Sequence, residues 1–218
     1  MVTKHPWLEL YPIDKNSERL IIGTHPPMPY MGEMKFFYGN MFEFWRLLTS
    51  VYKNDSLFTK DKPDLVKIKA FLKKYKFSIT DLVYKTDGKK FSIDQDMNVL
   101  ELNPYLLNWL KDSNIKEIYF TSFSGKNGAL PLFKKWLKVN FGNKVKIKPI
   151  EKWDNYSTYI KIDDLTYKLV RLYSPSPSAR KGIGASQVFK NYLIDNPGSD
   201  VDAFRIDLYK KLLPQLNS

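Results

Sequence analysis

A histidine between a glycine and two prolines is the first feature of the sequence that could do chemistry. Residues 23–28 read GTHPPM and follow the apolar run LII. Proline interrupts helix and sheet alike, so this stretch predicts a stiff loop of fixed shape. The imidazole of His25, with an ordinary pKa of about 6.5, could accept a proton from water or donate one to a leaving group. A structural histidine bonded to backbone is the alternative, and Gly23 would let a ligand approach the chain closely.

A second loop alternates serine and proline before an arginine. Residues 172–182 read LYSPSPSARKG. Proline fixes the shape of the loop in advance, the serine hydroxyls can donate hydrogen bonds to phosphates, and Arg180 adds a cation. Such a wedge suits entry into a DNA groove. A tight turn with serines bonded to nearby backbone is the alternative.

Four short apolar runs predict the buried strands that would position these loops. They are RLIIGT (19–24), FSITDLV (77–83), EIYFTS (117–122) and YKLVRLY (167–173). Apolar residues at helical spacing lie near residues 44–51, 65–72, 106–110, 130–137 and 201–212. Alternating strands and helices predict an α/β fold, a three-layer α/β/α sandwich with a central, mainly parallel four-stranded sheet. Residues 144–150 and 156–165 could add a small hairpin.

The carboxyl ends of the predicted strands carry the candidate site, because ligands of such sheets collect there. The His25 loop and the serine–proline loop follow the first and last strands. Asp81, near the end of the second, could activate water or could bond to loop amides. Thr121 and Ser122 end the third strand, where their hydroxyls could equally close a turn.

The composition excludes several classes of site and protein. The 218 residues include no cysteine and two histidines, which excludes disulfides, thiolate zinc sites, cysteine nucleophiles, iron–sulfur clusters and multi-histidine metal centres. We therefore expect no metal and no cofactor. No segment approaches the roughly 20 apolar residues of a membrane span, and the first residues lack the apolar core of a signal peptide. A cytoplasmic, monomeric protein with one domain over residues 1–218 is expected.

The net charge of +12 is the first indication of a partner. Residues 134–152 alone hold seven lysines against one glutamate. Basic surface supplies most of the sequence-independent affinity for nucleic acids. A lysine-rich surface also serves solubility, so charge by itself does not choose between the two.

The two loops together resemble the motifs of the uracil-DNA glycosylase superfamily, most closely its mismatch-specific thymine/uracil and hypoxanthine branches. Members carry a motif such as GINPG after the first strand and then an aromatic stretch ending in FW; this chain has GTHPP and FFYGNMFEFWRLL. Their second motif, such as HPSP or MPSSSAR, corresponds to SPSPSAR here. The segments SITDLV, SIDQDM and IKEIYFTS before LPLFKKWL resemble the hypoxanthine branch. The resemblance covers roughly residues 20–180.

The resemblance implies a monofunctional DNA glycosylase of base-excision repair. Such an enzyme hydrolyses the N-glycosidic bond of a damaged or mispaired base, such as uracil or hypoxanthine, in duplex or single-stranded DNA. It extrudes the nucleotide at a cost of a few kcal/mol. The implied catalytic residues are His25, Asp81 and Asn40. The implied base pocket comprises Gly23, Thr24, Phe36, Phe37, Tyr38, Thr121 and Ser122, and the implied DNA contacts are Ser174, Ser176, Pro177, Ser178, Arg180 and Lys181.

Two positions depart from the pattern of the superfamily. His25 replaces the asparagine of GINPG, which orients the attacking water. Phe42 and Glu43 stand where an asparagine often precedes FW. Asn40 is nearby, although a helix cap would explain it equally well.

Two other functions are compatible with these residues. The departures favour a nucleic-acid-binding protein that retains the glycosylase fold without hydrolysis. A serine hydrolase using Ser174 or Ser176 with His25 ranks last, because the sequence has no G-x-S-x-G elbow.

Overall fold

The β-branched and aromatic runs of the sequence form the strands that carry the candidate site. The computed structural model describes residues 2–28, 30, 32, 34–40, 42–53, 55–91 and 93–215. The strands within these ranges are Thr3–Lys4 (β1), Arg19–Gly23 (β2), Phe58–Thr59 (β3), Lys62–Pro63 (β4), Phe77–Asp81 (β5), Val83–Thr86 (β6), Val99–Leu102 (β7), Glu117–Phe120 (β8), Ser157–Ile162 (β9) and Leu165–Arg171 (β10).

The central sheet of the described residues has the strand order β5-β2-β8-β10-β9. The first four of these run parallel, and β9 pairs antiparallel with β10. The predicted mainly parallel sheet is confirmed, and β9 extends it from four strands to five. A short turn joins β9 to β10, which is why this pair is antiparallel. Residues 144–150, expected to pair in a hairpin, form no strand.

Helices follow the apolar stripes of the sequence. They are Phe42–Val51 (α1), Leu65–Lys74 (α2), Leu106–Lys111 (α3), Ala129–Phe141 (α4), Arg180–Ala185 (α5), Gln187–Asp195 (α6) and Val201–Leu212 (α7), with 3-10 turns at Asp94–Asp96, Ile150–Lys152 and Pro177–Ala179. All five predicted stripes are helical. The sequence did not predict α5 and α6, which pack with α7 around Phe189 and Phe204.

Both faces of the central sheet are covered by helices, which gives the three predicted layers. Successive side chains of a strand point to opposite faces. Ile21 packs in the core that includes α1, α2 and α7, whereas Leu20 and Ile22 pack in the core that includes α3 and α4. Burial on both faces explains why the strands read as nearly continuous apolar runs.

A smaller antiparallel sheet, β1-β6-β7, lies beside the end of β5. Strand β1 pairs with β6 through Thr3↔Thr86 and Lys4↔Lys85. The backbone N–H of His5 then donates to the Tyr84 carbonyl at 2.7 Å. This pairing brings the N-terminal segment to the edge of the central sheet where the candidate site lies. None of the helices in the described ranges is long and apolar enough to cross a membrane.

Candidate active site

One cavity of about 360 Å³ opens at the carboxyl edge of the central sheet. The end of β5 and the loops after β2, β8 and β10 contribute to its wall. The predicted site residues that line it are Gly23, Thr24, His25, Phe37, Tyr38, Asn40, Asp81, Thr121, Ser122, Ser174, Ser176 and Ser178. The histidine loop and the serine–proline loop therefore share one cavity. Its volume is in the range of small-molecule sites, roughly 300–1,000 Å³.

Four predicted residues do not line this cavity. The predicted place of Phe36 in the base pocket is corrected, because its ring is buried in the core. The distances between ring centroids are 4.7 Å to Tyr11 and 5.2 Å to Phe37. Phe36 and Phe37 are adjacent in the loop and project differently, so only Phe37 reaches the wall. Pro177, Arg180 and Lys181 are exposed outside the cavity. A role in binding DNA there stays a prediction.

Asp81 is held at the cavity by a histidine that the sequence analysis did not select. Nε2 of His5 lies 2.8 Å from Oδ2 of Asp81, and both side chains are nearly fully buried. Nδ1 of His5 accepts hydrogen bonds from the backbone N–H groups of Trp7 and Leu8 at 3.0 and 3.2 Å. Since Nδ1 is an acceptor, the proton of the ring is on Nε2 and is donated to the carboxylate. His5 thereby fixes the orientation of Asp81.

Gly23 leaves the space that the Asp81 carboxylate occupies. A Cβ at this position would collide with Oδ1 of Asp81 and would lie 2.8 Å from the hydroxyl of Tyr38. The absence of a side chain at Gly23 thus admits two neighbouring side chains, and Gly23 itself also lines the cavity, so the close approach of a ligand stays a prediction. The arrangement leaves Oδ1, the oxygen not bound by His5, beside the β2 end of the cavity.

The two ring nitrogens of His25 differ in this geometry: Nδ1 is a donor, and Nε2 is left as an acceptor. Its Nδ1 donates to the Pro26 carbonyl at 2.7 Å, and its Nε2 is buried without a partner. Burial, and then the nearby His5, lower the pKa of His25 to about 4. The ring is therefore neutral at pH 7. Its one N–H is occupied, so it does not supply the proton donor that a leaving base would need.

Tyr38 connects, through Thr121, the residue after β8 with β2. Its hydroxyl lies 2.9 Å from Oγ1 of Thr121, which itself donates to the Ile22 carbonyl at 3.3 Å. The Tyr38 hydroxyl is thus the donor to Thr121. Burial raises the pKa of Tyr38 well above its usual value. Its backbone has a φ of 56°, a left-handed conformation that is uncommon for a non-glycine residue and is often found at functional sites.

A second carboxylate, Asp94, also lines the cavity and was not selected from the sequence. Its Oδ1 accepts a hydrogen bond from Thr24 at 2.9 Å, and Asn127 donates to its backbone carbonyl at 2.8 Å. Burial, opposed by the Thr24 hydrogen bond and assisted by the negative charge of Asp81, raises the pKa of Asp94 to about 6. The segment SIDQDM contained the only signal, its resemblance to the hypoxanthine branch.

Ser122 has a structural contact as well as a place on the wall. Oγ of Ser122 accepts a hydrogen bond from the backbone N–H of Ala129 at 2.8 Å, at the first residue of α4. This contact matches the alternative in which the hydroxyl closes a turn. Asn40 lies on the cavity wall two residues before α1 begins.

The serine–proline loop is held from beneath by Arg205 of α7. The buried guanidinium donates to the carbonyls of Ser176 at 3.0 Å and Pro175 at 3.4 Å, and to Asp202 at 3.2 Å. Asp202 also pairs with the exposed Arg180. The loop therefore has a fixed shape at the mouth of the cavity.

The serines of this loop are not paired with a histidine. Oγ of Ser174 accepts from the Ser176 backbone N–H at 3.2 Å, and Oγ of Ser176 lies 2.8 Å from that of Ser178. The ring nitrogens of His5 and the Nδ1 of His25 are bound elsewhere. This geometry does not support the serine hydrolase hypothesis.

The wall of the cavity and the surface around it differ in their basic residues. None of the described residues that line it is a lysine or an arginine. Lys126, between the lining residues Gly125 and Asn127, is exposed, as are Arg180 and Lys181. Within the described ranges, no group of three or more histidine, aspartate or glutamate residues could hold a metal ion.

Comparisons with known proteins give likenesses among solved structures. No family model and no curated protein matches the chain. The chain is similar over 95% of its length to 99% of a solved structure from Methanosarcina acetivorans described as "a putative Uracil DNA glycosylase", with 19% sequence identity and a TM-score of 0.49.

Proposed function

We propose that this protein is a DNA glycosylase of base-excision repair that hydrolyses the N-glycosidic bond of a damaged or mispaired base, such as uracil or hypoxanthine. One observation carries the proposal. The His5-bound Asp81 and the stiff serine–proline loop line one cavity, and its volume of about 360 Å³ is large enough for an extruded base. DNA is the proposed partner.

Asp81 is the residue best placed to activate water. In the proposed reaction the oxygen of water bonds to C1′ of the sugar, the bond from C1′ to the base nitrogen breaks, and its electron pair leaves with the base. Oδ1 of Asp81 accepts the proton of the water while His5 holds Oδ2. The carboxylate also stabilises the positive charge that develops on the sugar. His25, with its lowered pKa, is a weaker base than its sequence position predicts.

The wall of the cavity offers contacts for an extruded base. Tyr38 and the buried Phe37 and Trp7 line the wall, and stacking of a base on an aromatic ring contributes roughly 1–3 kcal/mol. Thr24 and Asn40 supply polar groups beside it. Extrusion costs least for a mismatched or damaged base, which favours lesions over normal pairs.

Duplex binding is assigned to the outer surface around the serine–proline loop. Ser176, Pro177 and Ser178 would enter the groove as a wedge, and Arg180 and Lys181 would contact phosphates. Arg205 holds the loop through hydrogen bonds to the carbonyls of Pro175 and Ser176. Phosphate contacts position the enzyme without reading sequence.

The enzyme is proposed to be monofunctional. A lyase step needs an amine nucleophile that forms a Schiff base with the sugar. Since no lysine is found among the described residues of the cavity wall, the product expected is an intact abasic site.

A panel of oligonucleotides tests the proposal. Single- and double-stranded DNA with uracil, hypoxanthine, xanthine, N7-methylated guanine or a G·T mismatch is incubated with the protein and then treated with alkali. We expect alkali-labile sites for at least one lesion and no strand break without alkali. Binding that weakens with salt, with no base release from any substrate, would instead identify a nucleic-acid-binding protein that lacks hydrolysis.

A further inference from the structure

The interior of the cavity contrasts in charge with the rest of the molecule. The chain has a net charge of +12, yet the ionisable side chains that line the cavity are the carboxylates of Asp81 and Asp94 and the neutral imidazole of His25, besides the buried phenol of Tyr38. No lysine or arginine in the described part of the chain reaches the wall to neutralise the two carboxylates. The cavity is therefore an acidic pocket in a basic protein.

A leaving group with negative charge would be poorly stabilised in this pocket. Uracil or hypoxanthine leaves as an anion, which needs a hydrogen-bond donor or a cation nearby. The Nδ1 proton of His25 is held by the Pro26 carbonyl, and its Nε2 is a buried acceptor without a partner. The hydroxyl of Tyr38 donates to Thr121. The donors that remain on the described wall, such as the amides of Asn40 and Gln95, are neutral, so an anion would meet no cation there to balance its charge.

A flat cation would be stabilised by the same groups. Burial is the main reason why the pKa of Asp94 is raised, and the negative charge of Asp81 adds a smaller contribution in the same direction. A positive charge bound between the two carboxylates would relieve their repulsion. Three aromatic residues, Trp7, Phe37 and Tyr38, also line the cavity, and aromatic faces attract cations within about 6 Å.

We propose that the base preferred by this cavity is a purine made cationic by N-alkylation, such as 7-methylguanine or 3-methyladenine in DNA. The inference rests on the proposed glycosylase function and names its substrate class. In the reaction, the oxygen of water bonds to C1′ and the bond from C1′ to N9 breaks. The electron pair of that bond neutralises the cationic purine, which leaves without a proton, and the proton of the water passes to Asp81. No donor to the leaving base is required.

The test compares release of cationic and neutral bases. Duplex DNA treated with dimethyl sulfate, which carries 7-methylguanine and 3-methyladenine, is incubated with the protein beside duplexes with uracil or hypoxanthine. Released bases are quantified by mass spectrometry after subtraction of spontaneous depurination. We expect release of at least one methylated purine at least 10-fold faster than either neutral base. Faster release of uracil or hypoxanthine would overturn the substrate class and leave the glycosylase standing; release of no base from any duplex would overturn both.

The variant Asp94→Asn tests whether the acidic pocket selects the cationic base. The amide keeps an oxygen for the Thr24 hydrogen bond but removes the charge. We expect the ratio of methylated-purine release to neutral-base release to fall at least 10-fold, while Asp164→Asn, an exposed change at the β9–β10 turn, leaves the ratio unchanged. An unchanged ratio in Asp94→Asn, in a protein that melts as the wild type does, would contradict the role of the acidic pocket.

Discussion

The interior of the cavity and the surface around its mouth differ in charge, burial and anchoring. Inside, Asp81 is buried and Asp94 is half-buried, and each is hydrogen-bonded, one to His5 and one to Thr24. Outside, Arg180 and Lys181 are exposed cations on α5. The positive net charge of the chain therefore arises outside the cavity, on a surface suited to a polyanion, whereas the charged groups that line the cavity are acidic. In our account the surface binds DNA and the interior selects and releases the base.

Outside catalysis, the largest effects are expected in the pH dependence of folding stability, from Asp94 and His25. Folding shifts the pKa values of these two groups in opposite directions. Burial raises the pKa of Asp94 from its ordinary 3.8 to about 6, so the folded protein binds this proton more tightly than the unfolded chain does and loses stability as pH rises from about 4 to 6. Burial lowers the pKa of His25 from 6.5 to about 4, so stability is lost as pH falls through that range.

Two variants separate these opposing contributions. Relative to wild type, Asp94→Asn should gain stability as pH rises from about 4 to 6, and His25→Asn should gain it as pH falls from about 6.5 to 4. One pKa unit corresponds to about 1.4 kcal/mol, so the relative change is at most about 3 kcal/mol for Asp94→Asn and about 3.5 kcal/mol for His25→Asn. Urea unfolding at several pH values between 4 and 7.5 measures both. Parallel pH curves for the two variants would mean that the groups are not buried as described.

The smallest effect is expected at the outer surface. Arg180 is about half exposed and already paired with Asp202, so Arg180→Ala should weaken DNA binding by only about 0.5–1 kcal/mol. The loss should be equal for unrelated sequences, and the salt dependence of binding should fall by about one counterion. Fluorescence anisotropy at two salt concentrations measures this. Lys161→Ala, an exposed change on β9, is the charge-matched control, and an equal loss in both variants would remove Arg180 from the binding surface.

The sequence predicted the scaffold and the loops because their signals are local. Apolar runs and helical stripes are read within about ten residues, and proline marks the His25 and serine–proline loops directly. Parallel strands then bring their carboxyl ends to one edge. These rules placed most of the predicted residues around one cavity without any knowledge of contacts.

The partners of those residues could not be predicted because they are distant in sequence. His5 reaches Asp81, 76 residues away, only because β1 pairs with β6. Arg205 supports the serine–proline loop from a helix that follows it by some 30 residues. Phe36 was assigned to the base pocket because its loop has no periodicity that distinguishes an inward from an outward ring. Tertiary pairing, rather than local pattern, decides all three.

The most direct test of the account measures chemistry and binding in one variant, Asp81→Asn. Asparagine keeps the shape of the side chain and removes the base that accepts the proton of water. We predict that single-turnover release of the preferred base falls at least 10²-fold, while the Kd for the same DNA stays within about threefold of wild type. Base release that is unchanged in Asp81→Asn would contradict the assignment of the chemistry to the acidic interior.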